Sequence, residues 1–420
     1  MAVVLFYELQ PYCVVSNIQR YGDEEMNMAH KLTRRRFLEV AGTIAGSFAL
    51  AGCSSKNQDP NSIYVGVMGP FTGDVAQYGL AVRSGVLLYL KEFNKKGGVN
   101  GRQIVPIVED EKGDSTEAIL VYNKLLDENV CAILGDVTST PTIALAQKSV
   151  LDNVPCVTAS ATAEDVVMHG NNMFRATVTD PFQGVVLAEF AKKQGYQRVG
   201  TIFNSGGDYE IGVNNAFVQR ARELGIEVVS QQGYPTGAVD FNAQLTSIIG
   251  LDPDAILAPN YYQDNGKIVT QARQLGCKKP FMGADGWAGI IGGEQDYASA
   301  ADLEGCFYCS AFVASNPDEK VQHFVKAYTE EYGEAPTNFC SLGYDAAMIL
   351  CSALEVVEKH GYTYNSNEYR QAIIDAIASG VVEGVTGTLS YQGTGDPVKS
   401  TLIITFKDGK ESIYDTINPS

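Results

Sequence analysis

The sequence predicts an α/β protein of two doubly wound, Rossmann-like lobes joined by a three-strand hinge. Three observations predict it. Short β-rich runs alternate with helix-period segments through most of the chain, the mark of βαβ units around a mostly parallel sheet. The alternation restarts after Asp180 with a second, similar set of elements. The last hundred or so residues are rich in helices but poor in strands, so those helices must complete a lobe already begun. At 420 residues the chain is too long for one ordinary domain and comfortable for two.

The N-terminal stretch reads as address rather than fold. Residues 1–27 fit no signal, whereas Met28-Ala29-His30-Lys31 opens one normally, so the true start is expected at Met28. In residues 28–52 a cationic patch, Thr33-Arg34-Arg35-Arg36-Phe37-Leu38, precedes a small and apolar run from Val40 to Leu50 that is too short to span a bilayer. The run ends at Leu50-Ala51-Gly52-Cys53. With Arg35 and Arg36 it resembles a twin-arginine export signal, and its end resembles a bacterial lipobox, which implies cleavage and lipidation at Cys53. Residues 53–61 are polar and read as a tether, so contact with a membrane is expected through the lipid alone, on the outer face of the cell membrane or in the periplasm.

The first lobe is assigned to residues 62–178 and 312–396. Ile63–Met68 reads as a strand, Gly69–Gly79 as a Gly-rich loop, and Leu80–Lys95 as a helix stopped by Gly97-Gly98. Then follow strand Gln103–Glu109, helix Ser115–Asp127, strand Cys131–Leu134, a helix from Ser139, strand Pro155–Thr158 and a helix from Thr162. The second lobe, residues 179–311 and 397–420, opens with helix Phe182–Lys193 and strand Arg198–Phe203. It continues with helix Glu210–Leu224, strand Ile226–Ser230, helix Phe241–Ile249, strand Ala255–Ala258, helix Asp264–Leu275 and strand Phe281–Ala284. The late helices Asp318–Tyr332, Cys340–Lys359 and Glu368–Ser379 return to the first lobe, and a final hairpin turning at Lys407-Asp408-Gly409-Lys410 joins the second.

Charge and chemistry narrow the function. A formal charge of −18 argues against nucleic acid or anionic lipid as a partner. Of nine cysteines, seven remain after Cys13 and Cys53 are set aside, irregularly spaced and mostly in apolar runs, so they read as core thiols without a zinc pattern. Past the signal only His169, His323 and His360 remain, in no triad or metal spacing, and no phosphate-binding or nucleophile-elbow motif occurs. No cofactor, no metal and no catalysis are expected.

In an open α/β sheet, ligands sit where strand carboxyl ends feed helix N-termini. Two consecutive turns carry hydroxyls there: Gly135-Asp136-Val137-Thr138-Ser139-Thr140-Pro141 and Thr158-Ala159-Ser160-Ala161-Thr162. If the two strands are adjacent, Ser139 and Thr162 address one spot and make a carboxylate seat. The plainer alternative is that each is a helix N-cap.

Several segments together resemble the type I periplasmic binding proteins of the leucine/isoleucine/valine-binding family. They are Met68-Gly69-Pro70-Phe71-Thr72-Gly73, Ala76-Gln77-Tyr78-Gly79, Asn94 to Arg102, Ser160-Ala161-Thr162-Ala163, Asp208-Tyr209, Phe281 to Gly286 and Gly343-Tyr344-Asp345-Ala346-Ala347, in family order over most of the chain. The resemblance implies an extracytoplasmic receptor that traps a free amino acid between the lobes and presents it to the permease of an ABC importer; a monomer is the default expectation. By the same resemblance, Ser139, Thr162 and the Ser160 carbonyl hold the α-carboxylate and help with the ammonium, which Tyr209 and Asp285 close upon. Tyr78 and Phe339 wall a side-chain pocket suited to branched-chain or other apolar ligands, with Trp287 nearby. Two other readings share the fold: a receptor for an aromatic acid, amide or urea, and a sensing module for a signalling partner.

Overall fold

The structure, a computed structural model, describes residues 58–292 and 295–417. Arg35, Arg36 and Cys53 lie outside the described residues, and with them the expected signal and lipidation site.

The first lobe runs β1 (Ser62–Gly69), α1 (Ala76–Lys95), β2 (Gln103–Asp110), α2 (Ser115–Asp127), β3 (Ile133–Leu134), α3 (Ser139–Ser149), β4 (Cys156–Thr158) and β5 (Met173–Arg175). Its sheet has the order β2-β1-β3-β4-β5 with every pair parallel. β1 is buried along almost its whole length, as a central parallel strand covered on both faces must be. Asp114 caps α2 by accepting the Thr116 and Glu117 N–H groups.

The expected helix from Thr162 does not form. One 3-10 turn, Glu164–Val167, stands there, followed by β5, a strand the sequence reading passed over. The reason lies in the backbone carbonyls a helix would need. The buried Arg175 guanidinium takes Ala161 O at 2.9 Å and Ala163 O at 3.0 Å, and Asp180 N takes Thr162 O at 2.9 Å. These partners hold the segment in the course that leads to β5, and Ala163 O also accepts Val166 N–H at 3.2 Å in the 3-10 turn.

The second lobe runs α4 (Asp180–Lys193), β6 (Arg198–Asn204), α5 (Asp208–Glu223), β7 (Glu227–Tyr234), α6 (Asn242–Ile249), β8 (Ala255–Leu257), α7 (Tyr262–Gln274), β9 (Phe281–Gly283), α8 (Ala300–Leu303) and β10 (Phe307–Ser310). The chain then returns to the first lobe as α9 (Glu319–Tyr332), α10 (Asn338–Val357), α11 (Asn367–Ser379) and the small hairpin of β11 (Val381–Gly384) and β12 (Gly387–Ser390). It ends in β13 (Thr401–Lys407) and β14 (Lys410–Ile417), antiparallel additions to a seven-stranded sheet of order β14-β13-β10-β9-β8-β6-β7. β10 and the β11–β12 hairpin are further strands that the sequence reading missed.

α10 is apolar and long enough to cross a membrane, yet 78% of that stretch is buried inside the protein, against α1. Two glycines let the helix backbones meet: a Cβ on Gly85 would lie 1.9 Å from Cys340 O, and one on Gly343 would lie 2.2 Å from Val82 O. This close crossing sets the spacing of Tyr78 on α1 and Phe339 on α10.

The three passages between the sheets run side by side. Lys399 Nζ donates to Ala176 O at 2.9 Å, Thr401 Oγ1 donates to Ser310 O at 3.2 Å, and the Arg175 guanidinium pairs with Asp396 at 2.6 Å. The seven cysteines of the described residues, Cys131 and Cys156 among them, are free and buried.

Candidate functional site

β3 and β4 are adjacent and parallel, with Leu134 opposite Val157, so the two hydroxyl-bearing turns emerge side by side. They are knitted together before any ligand arrives. Ser160 Oγ donates to Val137 O at 2.8 Å, Thr158 Oγ1 donates to Asp136 O at 2.6 Å, and Ser139 Oγ accepts Ala163 N–H at 3.2 Å. The Ser160 hydroxyl is thereby committed, and what this residue offers a ligand is its backbone. Ser139 keeps its hydroxyl hydrogen to donate. It is the first residue of α3 rather than the cap, which is Thr138, so its side chain is free of helix capping.

From the second lobe, β9 delivers Asp285 into the same space. Gln183 Nε2 donates to Asp285 Oδ1 at 3.1 Å, and Asp285 N–H donates to Gln183 Oε1 at 2.9 Å. The other carboxylate oxygen, Oδ2, is buried without a hydrogen-bond partner. Burial pushes the Asp285 carboxyl up to about 6, with the hydrogen bonds of the Gln183 amide and the Tyr209 hydroxyl drawing it back down. Tyr209 accepts Gly286 N–H at 2.9 Å and stacks on Tyr261 with centroids 5.0 Å apart.

Aromatic rings form the remaining wall. Tyr78 stacks on Phe339 at 4.1 Å and meets Tyr261 edge-on at 5.5 Å. Its hydroxyl donates to Gly286 O at 2.6 Å and accepts Tyr262 N–H at 3.1 Å, both across the cleft. Three more hydrogen bonds cross between lobes: Thr140 Oγ1 to Asp208 Oδ2 at 2.7 Å, Gln77 Nε2 to Gly289 O at 3.1 Å, and Tyr262 OH to Asp74 O at 3.1 Å. The lobes are closed on each other.

Tyr78, Ser139, Ser160, Thr162, Tyr209, Asp285 and Phe339, the seven residues singled out from sequence, all line one void, together with Val137, Thr138, Tyr261 and Gly286. The space is tight, about 10 Å³, too small for a solute with the lobes in this closed position. Thr138 and Tyr261 also border an outer cavity of about 500 Å³ at the cleft mouth. Trp287 takes no part: it is wholly buried, its indole N–H donating to Ala258 O at 2.8 Å beneath the site. Gln183 and Tyr261 were missed from sequence. Tyr261 follows β8 at the strand-to-helix turn where ligands gather, a signal the sequence carries; Gln183 shows none, because only the fold brings α4 behind β9.

Electrostatically the void has two ends. One offers the Ser139 hydroxyl hydrogen; the other offers a partnerless carboxylate oxygen of Asp285. Aromatic faces lie alongside.

The chain matches the family model described as periplasmic binding protein over residues 62–410. The leucine-, isoleucine-, valine-, threonine- and alanine-binding protein of Pseudomonas aeruginosa is 26% identical over 351 residues, covering 83% of this chain and 91% of that protein. Among solved structures, the branched-chain amino acid transporter substrate-binding protein LivJ of Streptococcus pneumoniae, in complex with isoleucine, superposes with a TM-score of 0.76 at 29% identity. That comparison covers 85% of this chain and 99% of LivJ. The leucine-binding protein LivK of Thermotoga maritima gives a TM-score of 0.76 at 30% identity, covering 85% of this chain and 99% of LivK.

Proposed function

This chain belongs to the periplasmic binding protein family, and from that premise we propose that it is the extracytoplasmic receptor of an ABC importer for a free amino acid, with branched-chain or other apolar side chains preferred. One observation carries the reading: a donor hydroxyl on Ser139 and a partnerless carboxylate oxygen on Asp285 face the same closed void. A zwitterion is the solute whose two charges answer both. The Ser139 hydroxyl, Thr162 and the Ser160 backbone take its carboxylate; Asp285 Oδ2 and Tyr209 take its ammonium; Tyr78 and Phe339 take its side chain. The binding of leucine, isoleucine and valine named for the relatives supports this assignment.

Binding then works by closure. The first lobe holds the carboxylate and the second the ammonium, so a bound ligand joins them and favours the closed state by its differential affinity. Family membership supports export to the periplasmic side. Anchoring through a lipid on Cys53 and docking of the closed form on a permease complete the proposal.

Isothermal calorimetry against a panel of free amino acids and their amine-free acids tests it. Binding of apolar amino acids is expected, and a wild-type protein that binds none of them sinks the reading. Asp285→Ala should weaken amino acid binding more than roughly 100-fold while sparing an amine-free acid, because removing one partner leaves the ammonium buried and unpaired. Equal loss for both ligands would place the ammonium elsewhere.

A further inference from the structure

Below the carboxylate seat lies a second pair of acids that ligand binding does not use. Glu111, just past β2, and Asp136, just past β3, are both wholly buried. Each has one oxygen satisfied by the backbone: Glu111 Oε2 accepts Asp114 N–H at 3.0 Å, and Asp136 Oδ1 accepts Val137 N–H at 2.6 Å. The remaining two, Glu111 Oε1 and Asp136 Oδ2, are buried and no donor reaches either. Gly69 of β1 stands opposite Asp110, and Val67 opposite Leu134, so the two acids leave the sheet on either side of the end of β1.

Two buried carboxylates brought together, both charged and both lacking a donor, repel strongly and cost desolvation twice. One proton between them removes the repulsion and satisfies both oxygens. A metal is a poorer answer, since among the described residues no group of three or more His, Cys, Asp or Glu could hold one.

We propose that Glu111 and Asp136 share a single proton, and that this proton clamps the β2 loop to the β3 turn that seats the ligand. β2 and β3 flank β1 in the sheet, so the pair reaches over the carboxyl end of β1 at Gly69. Glu111 N–H donates to Gly69 O at 3.2 Å, and Asp110 next to it accepts Phe71 N–H at 2.8 Å in the loop that leads to Tyr78. Asp136 in turn pins Val137, whose carbonyl holds Ser160. One hydrogen bond thus ties together the three loops that carry the first lobe's half of the site.

Burial pushes both Glu111 and Asp136 above the usual carboxylate range, which fits a retained proton. The charged groups around the pair are few. From β2 comes Asp110, held low by Thr72 and three backbone N–H groups. The loop adds Lys112, paired with Glu117 of α2 at 3.4 Å, and Asp114, engaged in capping α2. β1 and the Val137–Thr138 turn bring none.

The clamp opens on the alkaline side. A carboxyl whose folded pKa is raised stabilises most when protonated, and that contribution is lost as pH rises from the ordinary carboxyl range through the raised range of the pair. Glu111→Gln is the informative variant: its amide can donate to Asp136 Oδ2 and accept from Asp114 N–H, and it keeps the single negative charge of the shared-proton pair without a proton to lose.

The test follows thermal midpoint without ligand, and calorimetric affinity for L-leucine as probe, from about pH 6 to about pH 8.5. In wild type the midpoint falls as pH rises, and affinity weakens roughly tenfold once the shared proton is lost at the alkaline end. In E111Q both curves flatten. Asp285 and Glu210 are also raised by burial but act alike in both proteins, so the difference isolates the pair. Parallel curves for wild type and E111Q overturn the proposal, and Asp136→Asn serves the same comparison if E111Q does not fold. The affinity arm rests on the amino acid reading, whereas the midpoint arm does not. A flattened midpoint curve without any leucine binding therefore supports the shared proton and condemns leucine as ligand.

Discussion

Gln183 grips Asp285 at two points, its amide nitrogen donating to Oδ1 and its amide oxygen accepting the Asp285 N–H. The amide thus fixes both the carboxylate and the backbone that carries it, and turns Oδ2 toward the void. Gln183→Leu, similar in size but unable to hydrogen bond, should lower amino acid affinity about 10- to 100-fold while leaving the fold in place, the range for two buried hydrogen bonds of which one is charge-assisted. Calorimetry on a protein shown folded by circular dichroism is the check. Wild-type affinity in this variant would mean that Asp285 is held by other contacts.

The raised pKa of Asp285 makes binding depend on pH in a specific direction. In the proposed pose the ligand's ammonium needs the ionised carboxylate, so affinity should rise as pH climbs through about 6. Stability of the unliganded protein runs the other way: a carboxyl raised by burial contributes most when protonated, and the contribution is lost as pH rises from the unfolded carboxyl range, about 4, toward about 6. The ligand-induced rise in thermal midpoint should therefore widen between about pH 5 and pH 7, with affinity about tenfold weaker at the acid end. A constant shift across that range would show that Asp285 does not face the ammonium. This acid-side limb is separate from the alkaline limb assigned to Glu111 and Asp136.

How much of this was legible in the sequence depends on whether a feature is local or assembled. Ser139, Thr162 and Asp285 each lie in the turn that follows a strand's carboxyl end, where period and turn chemistry suffice to point to them. The register between β3 and β4 then decides that two such turns meet, and register is a tertiary fact. The helix expected from Thr162 failed because a residue further along the chain intervened: Arg175 binds the carbonyls of Ala161 and Ala163, and no propensity at residues 162–170 reports that. Gln183 was invisible for the same reason, being one polar residue on an otherwise ordinary helix. Short strands such as β5 and β10 were lost because three or four buried residues carry no period to count.

Closure can be probed at its rim, away from the ligand. Thr140 Oγ1 reaches Asp208 Oδ2 across the cleft at 2.7 Å, and both residues are exposed. A hydrogen bond in water is worth about 0.5 to 1.5 kcal/mol, so Thr140→Val should weaken affinity roughly two- to tenfold, mainly through faster dissociation. Stopped-flow release kinetics measure it. An unchanged release rate would show that the latch forms without stabilising the closed state.

The aromatic wall depends on two helices meeting closer than side chains allow. At Gly343 an added Cβ would lie 2.2 Å from Val82 O and 3.0 Å from Val82 Cα, both backbone atoms that cannot swing aside. Gly343→Val must push α10 off α1, and the cost of such overpacking in a core is about 1 to 3 kcal/mol. Because Phe339 and Tyr78 ride on these two helices with their rings stacked at 4.1 Å, the displacement also spreads the wall of the void. Thermal midpoint and affinity should fall together in this variant. Phe339→Ala, which empties the wall without moving the helices, should lower affinity with a smaller loss of midpoint than its buried area alone would suggest, since the ring borders a void. If Gly343→Val kept both wild-type values, the crossing of α1 and α10 would have slack, and the site's width would be set elsewhere.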